Sequence, residues 1–339
     1  MTRVRRSSRK SDREPGGAVV HDLHQQPPEG AMQGIVVRAH GLWYEVRTAD
    51  PDQTWIATMR GVLKKRARRT DIVAVGDRVW ITDAGEGEAV IQAVEPRHSV
   101  FSRTARNTRD VEQVILANPD QVLLVFAARE PEPHLRMLDR FIILAERQEL
   151  PVRIVVTKID LERDLSEDDP LGPARKRFAI YEPMYPVHYI SSTTGEGIRE
   201  LREAIEGQVS VVAGPSGVGK STLLNALDPE NRRATGEVSA ATGKGRHTTI
   251  GAQLYQIGPD TYIADTPGMR SLAMHAVPED ELEWCYREFR PYLGECRFRG
   301  CTHVHEPGCA IRRAVEEGAI PLERYESYVL VRAESAGES

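Results

Sequence analysis

The sequence predicts an α/β phosphate-binding-loop domain with a mainly parallel sheet over residues 99–274, preceded by a small β-barrel over 31–98 and followed by a metal-clipped helical domain over 275–339. A disordered basic arm is expected at 1–30, where Arg, Ser, Gly, Pro and Gln dominate and apolar periodicity is lacking. Three observations carry this division. Short β-rich runs separated by turn residues fill 33–95; strand-like and helix-like runs alternate from about residue 111; and all four cysteines fall between 285 and 309.

The first region reads QGIVVRA, LWYEVRT, TWIAT, DRVWITD and EAVIQAV, broken by turns such as Ala-Asp-Pro-Asp. Five short strands suit a barrel of the oligonucleotide-binding (OB) type. Net charge is only −5, yet residues 1–14 hold six Lys or Arg against two acids, and 60–69, RGVLKKRARR, hold six more with none. The second stretch falls between two of the strands, where it suits tracking a nucleic-acid backbone.

In the second region, QVLLVFA (121–127), RIVV (153–156), VHYI (187–190) and VSVVAG (209–214) read as strands. HLRMLDRFIILAERQEL (134–150) and EGIRELREAIEG (196–207) have helical spacing. Such alternation implies a parallel sheet covered on both faces, with ligands at the carboxyl ends of its strands.

Three of those ends carry chemistry. Gly214, Pro215, Ser216, Gly217, Val218, Gly219, Lys220, Ser221 and Thr222 spell a complete phosphate-binding loop between a strand and a helix. Its glycines let backbone N–H groups close on a β-phosphate, Lys220 reaches β and γ oxygens, and Ser221 is placed to hold Mg²⁺. Thr157, Lys158 and Asp160 form Thr-Lys-x-Asp directly after a strand, and Ser191 and Ser192 open the loop SSTT after another. The Asp160 carboxylate can accept from the ring N–H and amino group of guanine, a donor pair adenine lacks, while the Lys158 stem covers the base plane. Downstream, TYIADTPG (261–268) ends in Asp-x-x-Gly, where Asp265 would position Mg²⁺ and Gly268 would sense the γ-phosphate. GKGRHTTIG (243–251) offers Thr248 or Thr249 to close on metal and γ-phosphate; the sequence does not choose. The guanine reader precedes the phosphate loop, so the GTPase domain is circularly permuted, an arrangement permitted by adjacent termini.

Cys296, Cys301, His303 and Cys309 combine three thiolates with one imidazole, which completes a closed tetrahedral zinc site. His305 competes as a ligand, and Cys285 reads as a small buried residue within the helical pattern PEDELEWCYREFRPYL.

In the order TKID, SSTTGEG, GPSGVGKST, GRHTT, DTPG and a terminal Cys, Cys, His, Cys set, residues 33–332 resemble the ribosome small-subunit-dependent GTPase A (RsgA/YjeQ) family. The resemblance implies a GTP hydrolase acting late in 30S subunit assembly, stimulated by that subunit and contacting its 16S rRNA. It implies GTP and GDP as ligands, Mg²⁺ with the nucleotide and one structural Zn²⁺. Met269 follows Gly268, where a water-orienting Gln is expected. His247 is the candidate to supply that function, as the resemblance also implies, with Lys220, Thr248 and Thr249 completing the catalytic set. Thr157, standing where many GTPases have Asn, is expected to lose an amide contact. The absence of an apolar run of about 18 residues or a secretory leader, with 28% charged residues and a mean hydropathy of −0.43, leads to the expectation of a cytoplasmic monomer away from membranes.

Overall fold

The computed structural model describes residues 29–50, 52–59, 73–104, 112–162, 172–228, 252–265 and 279–335. The basic arm, the decapeptide 60–69, the loop 243–251 with His247, Thr248 and Thr249, and Gly268 lie outside the described residues.

The first five strands are β1 (Met32–His40), β2 (Trp43–Ala49), β3 (Asp52–Met59), β4 (Arg78–Gly85) and β5 (Glu88–Val94). They close into a barrel of order β1-β2-β3-β5-β4. Closure removes the edges that an open five-stranded sheet would leave unpaired. Burial alternates along β2 and β5 as a half-buried strand requires, and Val36, Val46, Ala57, Val79, Ile81 and Ile91 fill the interior. In chain order residues 60–69 fall between β3 and β4, two strands of the barrel as expected from the sequence.

A two-stranded antiparallel ladder follows, β6 (Val100–Thr104) with β7 (Glu112–Ala117), which the sequence reading missed. Its Phe101 and Leu116 join the core of the central sheet together with Val75 from the segment leading into β4. The joint is tight: a Cβ on Gly76, at φ +90°, would lie 2.0 Å from the Ala117 carbonyl oxygen. Beside it the buried Asp77 carboxylate takes two bonds of 2.7 Å from Arg97 and another from the Ala74 N–H.

The central sheet has the order β10-β9-β8-β11-β13-β12. Its strands are β8 (Gln121–Ala127), β9 (Val152–Thr157), β10 (Val187–Tyr189), β11 (Val209–Ala213), β12 (Gln253–Gly258) and β13 (Thr261–Asp265). All neighbours are parallel except β12, an antiparallel edge strand that lies against β1. β8 and β11 are buried at every position, the signature of strands covered on both faces. Leu124 and Phe126 of β8 pack toward Leu138 and Phe141 of helix α1 (Leu135–Arg147). Leu123 and Val125 pack toward the opposite layer, Leu201 of α3 (Ile198–Ala204) and Leu223, Leu224 and Leu227 of α4 (Lys220–Leu227). A short helix α2 (Gly172–Phe178) lies on the α1 side, its Phe178 in the same core.

The carboxyl-terminal unit contains α5 (Glu279–Leu282), two 3-10 turns over Glu283–Cys285 and Arg287–Tyr292, α6 (Ala310–Glu316) and α7 (Leu322–Ser335). The single helix read from PEDELEWCYREFRPYL is thus broken. Tyr286 is extended at φ −98°, ψ 102°, and Pro291 cannot continue an α-helical ladder. Among the described residues, no helix is long and apolar enough to cross a membrane.

Gly76→Ala combines a left-handed backbone with a backbone clash. It is expected to lower stability by at least about 2 kcal/mol, read as a drop in the urea midpoint.

Candidate nucleotide site and metal centre

The carboxyl ends of β9 and β11 meet because both strands flank β8. At the end of β11, Gly214 turns the chain at φ +150°, and a Cβ there would lie 2.1 Å from the Val125 carbonyl oxygen of β8. Only glycine permits that approach. Gly217 and Gly219 also have left-handed backbone, at φ +81° and +91°, so the loop through Pro215, the exposed Ser216 and the buried Val218 curls around the start of α4. Gly219 caps α4, whose first residues Lys220, Ser221 and Thr222 present backbone N–H groups at its positive end. The Lys220 ammonium lies over the loop, donating to the carbonyls of Gly214 at 3.0 Å and Pro215 at 2.5 Å.

The tetrapeptide Thr157–Asp160 is stitched to this loop. The buried Thr157 hydroxyl lies 2.5 Å from the Val218 carbonyl and 3.3 Å from that of Phe126. Thr157 thus meets the phosphate loop through its hydroxyl. Lys158, at φ +59°, donates to the Gly217 carbonyl at 2.8 Å and to the Glu130 carbonyl. Half-buried Asp160 follows within a 3-10 turn over Ile159–Glu162. The Ile159 N–H bonds the Ile190 carbonyl at 3.3 Å, which brings the Ser191 loop alongside. Ser191 is fully buried, and its hydroxyl accepts from the N–H groups of Thr193 and Thr194 at 3.2 and 3.1 Å, with half-buried Ser192 between. Asp265 ends β13 in register with Val212, one strand over from the phosphate loop.

The sulfur atoms of Cys296, Cys301 and Cys309 and the His303 ring lie within 4.8 Å of one another. The His303 Nδ1 is 3.3 Å from the Cys309 Sγ and 3.5 Å from that of Cys296, and the two sulfurs are 3.9 Å apart. A tetrahedron with ordinary Zn–S and Zn–N bonds requires separations of about 3.5 Å and about 3.8 Å, so the donor set and its spacing are compatible with zinc. Backbone N–H groups of Ala310 and Arg312 point at the sulfurs of Cys296 and Cys309. Burial pushes the Cys301 thiol up to about 12, whereas at Cys309 the Arg312 N–H and the His303 ring outweigh burial and draw the pKa below the usual thiol value. A divalent cation would stabilise all three thiolates together.

The exposed His305 is not part of the group, and buried Cys285, its thiol pushed up to about 12 by burial, packs in the apolar core. Sequence reasoning missed Glu283. Its carboxylate sits 2.9 Å from the His303 Nε2, fixing Nδ1 as the inward nitrogen. Burial opposes protonation of His303, but the Glu283 and Cys309 bonds prevail and raise its pKa.

Residues 94–275 match the RsgA GTPase domain, and residues 33–91 match the RsgA N-terminal domain. The chain belongs to the RsgA GTPase family. It is 44% identical over 311 residues to the "Small ribosomal subunit biogenesis GTPase RsgA" of Gemmatimonas aurantiaca, covering 90% of this chain and 98% of that protein. The protein of the same name from Chlorobaculum tepidum is 38% identical, with 88% and 96% covered. Among solved structures, YjeQ from Thermotoga maritima superposes with a TM-score of 0.74 at 34% identity, covering 91% of this chain and all of that one. YloQ, described as a circularly permuted GTPase, gives 0.70 at 28% identity, with 95% and 99% covered. The guanine-first order of this RsgA family chain is thus a circular permutation.

Thr157→Val leaves the Val218 carbonyl without its hydroxyl partner. The expected cost is about 1–2 kcal/mol of guanine-nucleotide affinity, a roughly 5- to 30-fold loss measurable by titration with a fluorescent GDP. Glu283→Gln is expected to weaken zinc binding by about 10- to 100-fold, read by competition with a chromophoric chelator.

Proposed function

We propose that this chain is a GTP hydrolase of small ribosomal subunit biogenesis, acting late in 30S assembly as a cytoplasmic monomer, its turnover stimulated by the subunit. The observation that carries this reading is the direct bonding of Thr157 and Lys158 to the phosphate-loop carbonyls of Val218 and Gly217. One nucleotide can then span a guanine reader and a phosphate cradle. The relatives at 44% and 38% identity bear the name of that process.

In this reading Asp160 accepts from the guanine edge, Lys158 covers the base, and the Ser191–Ser192 loop faces the guanine oxygen. Gly214 to Thr222 surround the phosphates, and Lys220 leaves its loop carbonyls for the β and γ oxygens. Ser221 and Asp265 would hold Mg²⁺, which when bound neutralises charge on those oxygens. Thr248 or Thr249 closes over the γ-phosphate, the Gly268 N–H senses it, and His247 orients the attacking water in place of a glutamine. Zn²⁺ on Cys296, Cys301, His303 and Cys309 is structural, since four protein ligands leave no open position.

The barrel and the metal-bearing unit hold 16S rRNA. At the β1–β2 turn, His40 stacks on Trp43 at 3.8 Å beside Leu42, which is 71% exposed. Between two metal ligands, Arg297, Phe298 and Arg299 stand exposed, with the Arg297 guanidinium 5.4 Å from the Phe298 ring centre. Aromatic faces beside arginines suit bases and phosphates.

Phosphate release from GTP, measured for the purified protein alone, with 30S and with 50S subunits, tests the reading. Slow turnover alone and a rise of about three orders of magnitude or more with 30S only is expected, the scale on which a supplied transition-state group acts. A rate indifferent to 30S subunits rejects it.

A further inference from the structure

Helix α1 serves two cores at once. Leu138, Phe141 and Ile142 face the central sheet, whereas Ile143 belongs to the apolar cluster of the carboxyl-terminal unit with Leu282, Tyr286, Phe289 and Tyr328. Its carboxylates also face that unit. Asp139, 2% exposed, receives Arg324 of α7 and, at 2.8 Å, the Tyr181 hydroxyl. Arg324 is itself buried to 1%, bonds Glu288 at 2.6 Å, and lies 4.6 Å from the Tyr286 ring centre and 5.2 Å from that of Tyr181. One turn-pair along α1, buried Glu146 carries Arg287 at 2.6 Å and Arg290 at 2.7 Å.

The amino-terminal end of the same helix leads into the nucleotide site. The connection from β8 to α1 contains Glu130, whose carbonyl receives the Lys158 ammonium, and Pro131, whose Cδ lies 3.7 Å from where a Gly217 Cβ would stand. A buried guanidinium between two carboxylates and two rings has no comparably satisfied alternative arrangement, so it fixes α1 in place.

We infer that Arg324, in the metal-bearing unit and remote from the nucleotide, is a positioning residue for the guanine end of the site. It holds α1, α1 holds the Glu130–Pro131 segment, and that segment holds Lys158 two residues before Asp160. The coupling passes through the base side, so GDP and a slowly hydrolysed GTP analogue should engage it alike. By reciprocity either nucleotide tightens the contact between α7 and α1.

The inference rests on the guanine-nucleotide reading, and the test separates the two. Release of fluorescent GDP is timed, and binding of pyrophosphate, which has no base, is measured by displacement of that GDP, for wild type and Arg324→Met, with hydrogen exchange of α7 followed with and without GDP and the GTP analogue. In the wild type, GDP and the GTP analogue should protect α7 equally. In the variant, that protection should vanish, GDP release should accelerate several-fold, and pyrophosphate binding should change little. Equal weakening of GDP and pyrophosphate, unchanged GDP release, or protection of α7 by the GTP analogue alone overturns the inference. Failure of the wild type to bind GDP instead removes the functional reading beneath it. Should Arg324→Met not fold, Glu288→Gln, which keeps the shape and the Asp139 partner, is judged by the same outcomes.

Discussion

Gly214 stands so close to β8 that any side chain would overlap the Val125 carbonyl, and the nucleotide site depends on this approach. It lets the phosphate loop leave β11 across the end of β8 and reach the end of β9, two strands away. Parallel strands buried on both faces permit little adjustment, since a shift of β11 would disturb the packing of Val211 and Val212 on opposite sides. The distance between the Thr157–Asp160 segment and the glycine-rich loop is therefore set by sheet geometry. Thr157 and Lys158 then lock it with side-chain bonds across about 60 residues of chain.

Permutation leaves that geometry intact while changing what the chain ends carry. In the observed order, β13 is the last strand of the sheet, and the residues beyond Asp265 lead to the carboxyl-terminal unit instead of returning to β8. β8 is entered from the β6–β7 ladder, which is bound to the segment before β4 of the barrel by the Asn118 amide on the Gly76 carbonyl at 3.0 Å. The barrel and the carboxyl-terminal unit thus attach to the sheet by separate contacts, the former at Gly76 and β12, the latter on α1. A large partner touching both attached units would grip the sheet from two sides.

Much of this was legible in the residues because local chemistry determined it. β8 and β11 showed as largely apolar runs, α1 as a 3.6-residue period, the phosphate loop as glycines at fixed spacing, and the metal set as clustered soft ligands. β12 was not legible: only two of its six residues are buried, and an edge strand needs no apolar alternation. The β6–β7 ladder was hidden because Val100–Thr104 is short and mostly polar, its Phe101 buried only by tertiary contact. Glu283 looked like any acid in a helical run, and its bond to His303 depends on the break at Tyr286 that the pattern did not reveal.

Arg324 shows where sequence reading stops for a physical reason. A lone arginine in an amphipathic helix is ordinarily solvated, and nothing in PLERYESYVLV marks it otherwise. Its burial requires two carboxylates from separate parts of the chain, Asp139 and Glu288, to converge with the faces of Tyr181 and Tyr286. Desolvation alone would oppose the charged form, and the paired carboxylates outweigh it, holding the guanidinium pKa well above its ordinary value. An apolar contact of similar area would join the two units as firmly but would tolerate sliding, because dispersion has little direction. Three guanidinium nitrogens bonded to two carboxylates do not. The ion cluster thus fixes orientation at the seam, the property needed if a unit on one side of α1 is to influence a lysine on the other.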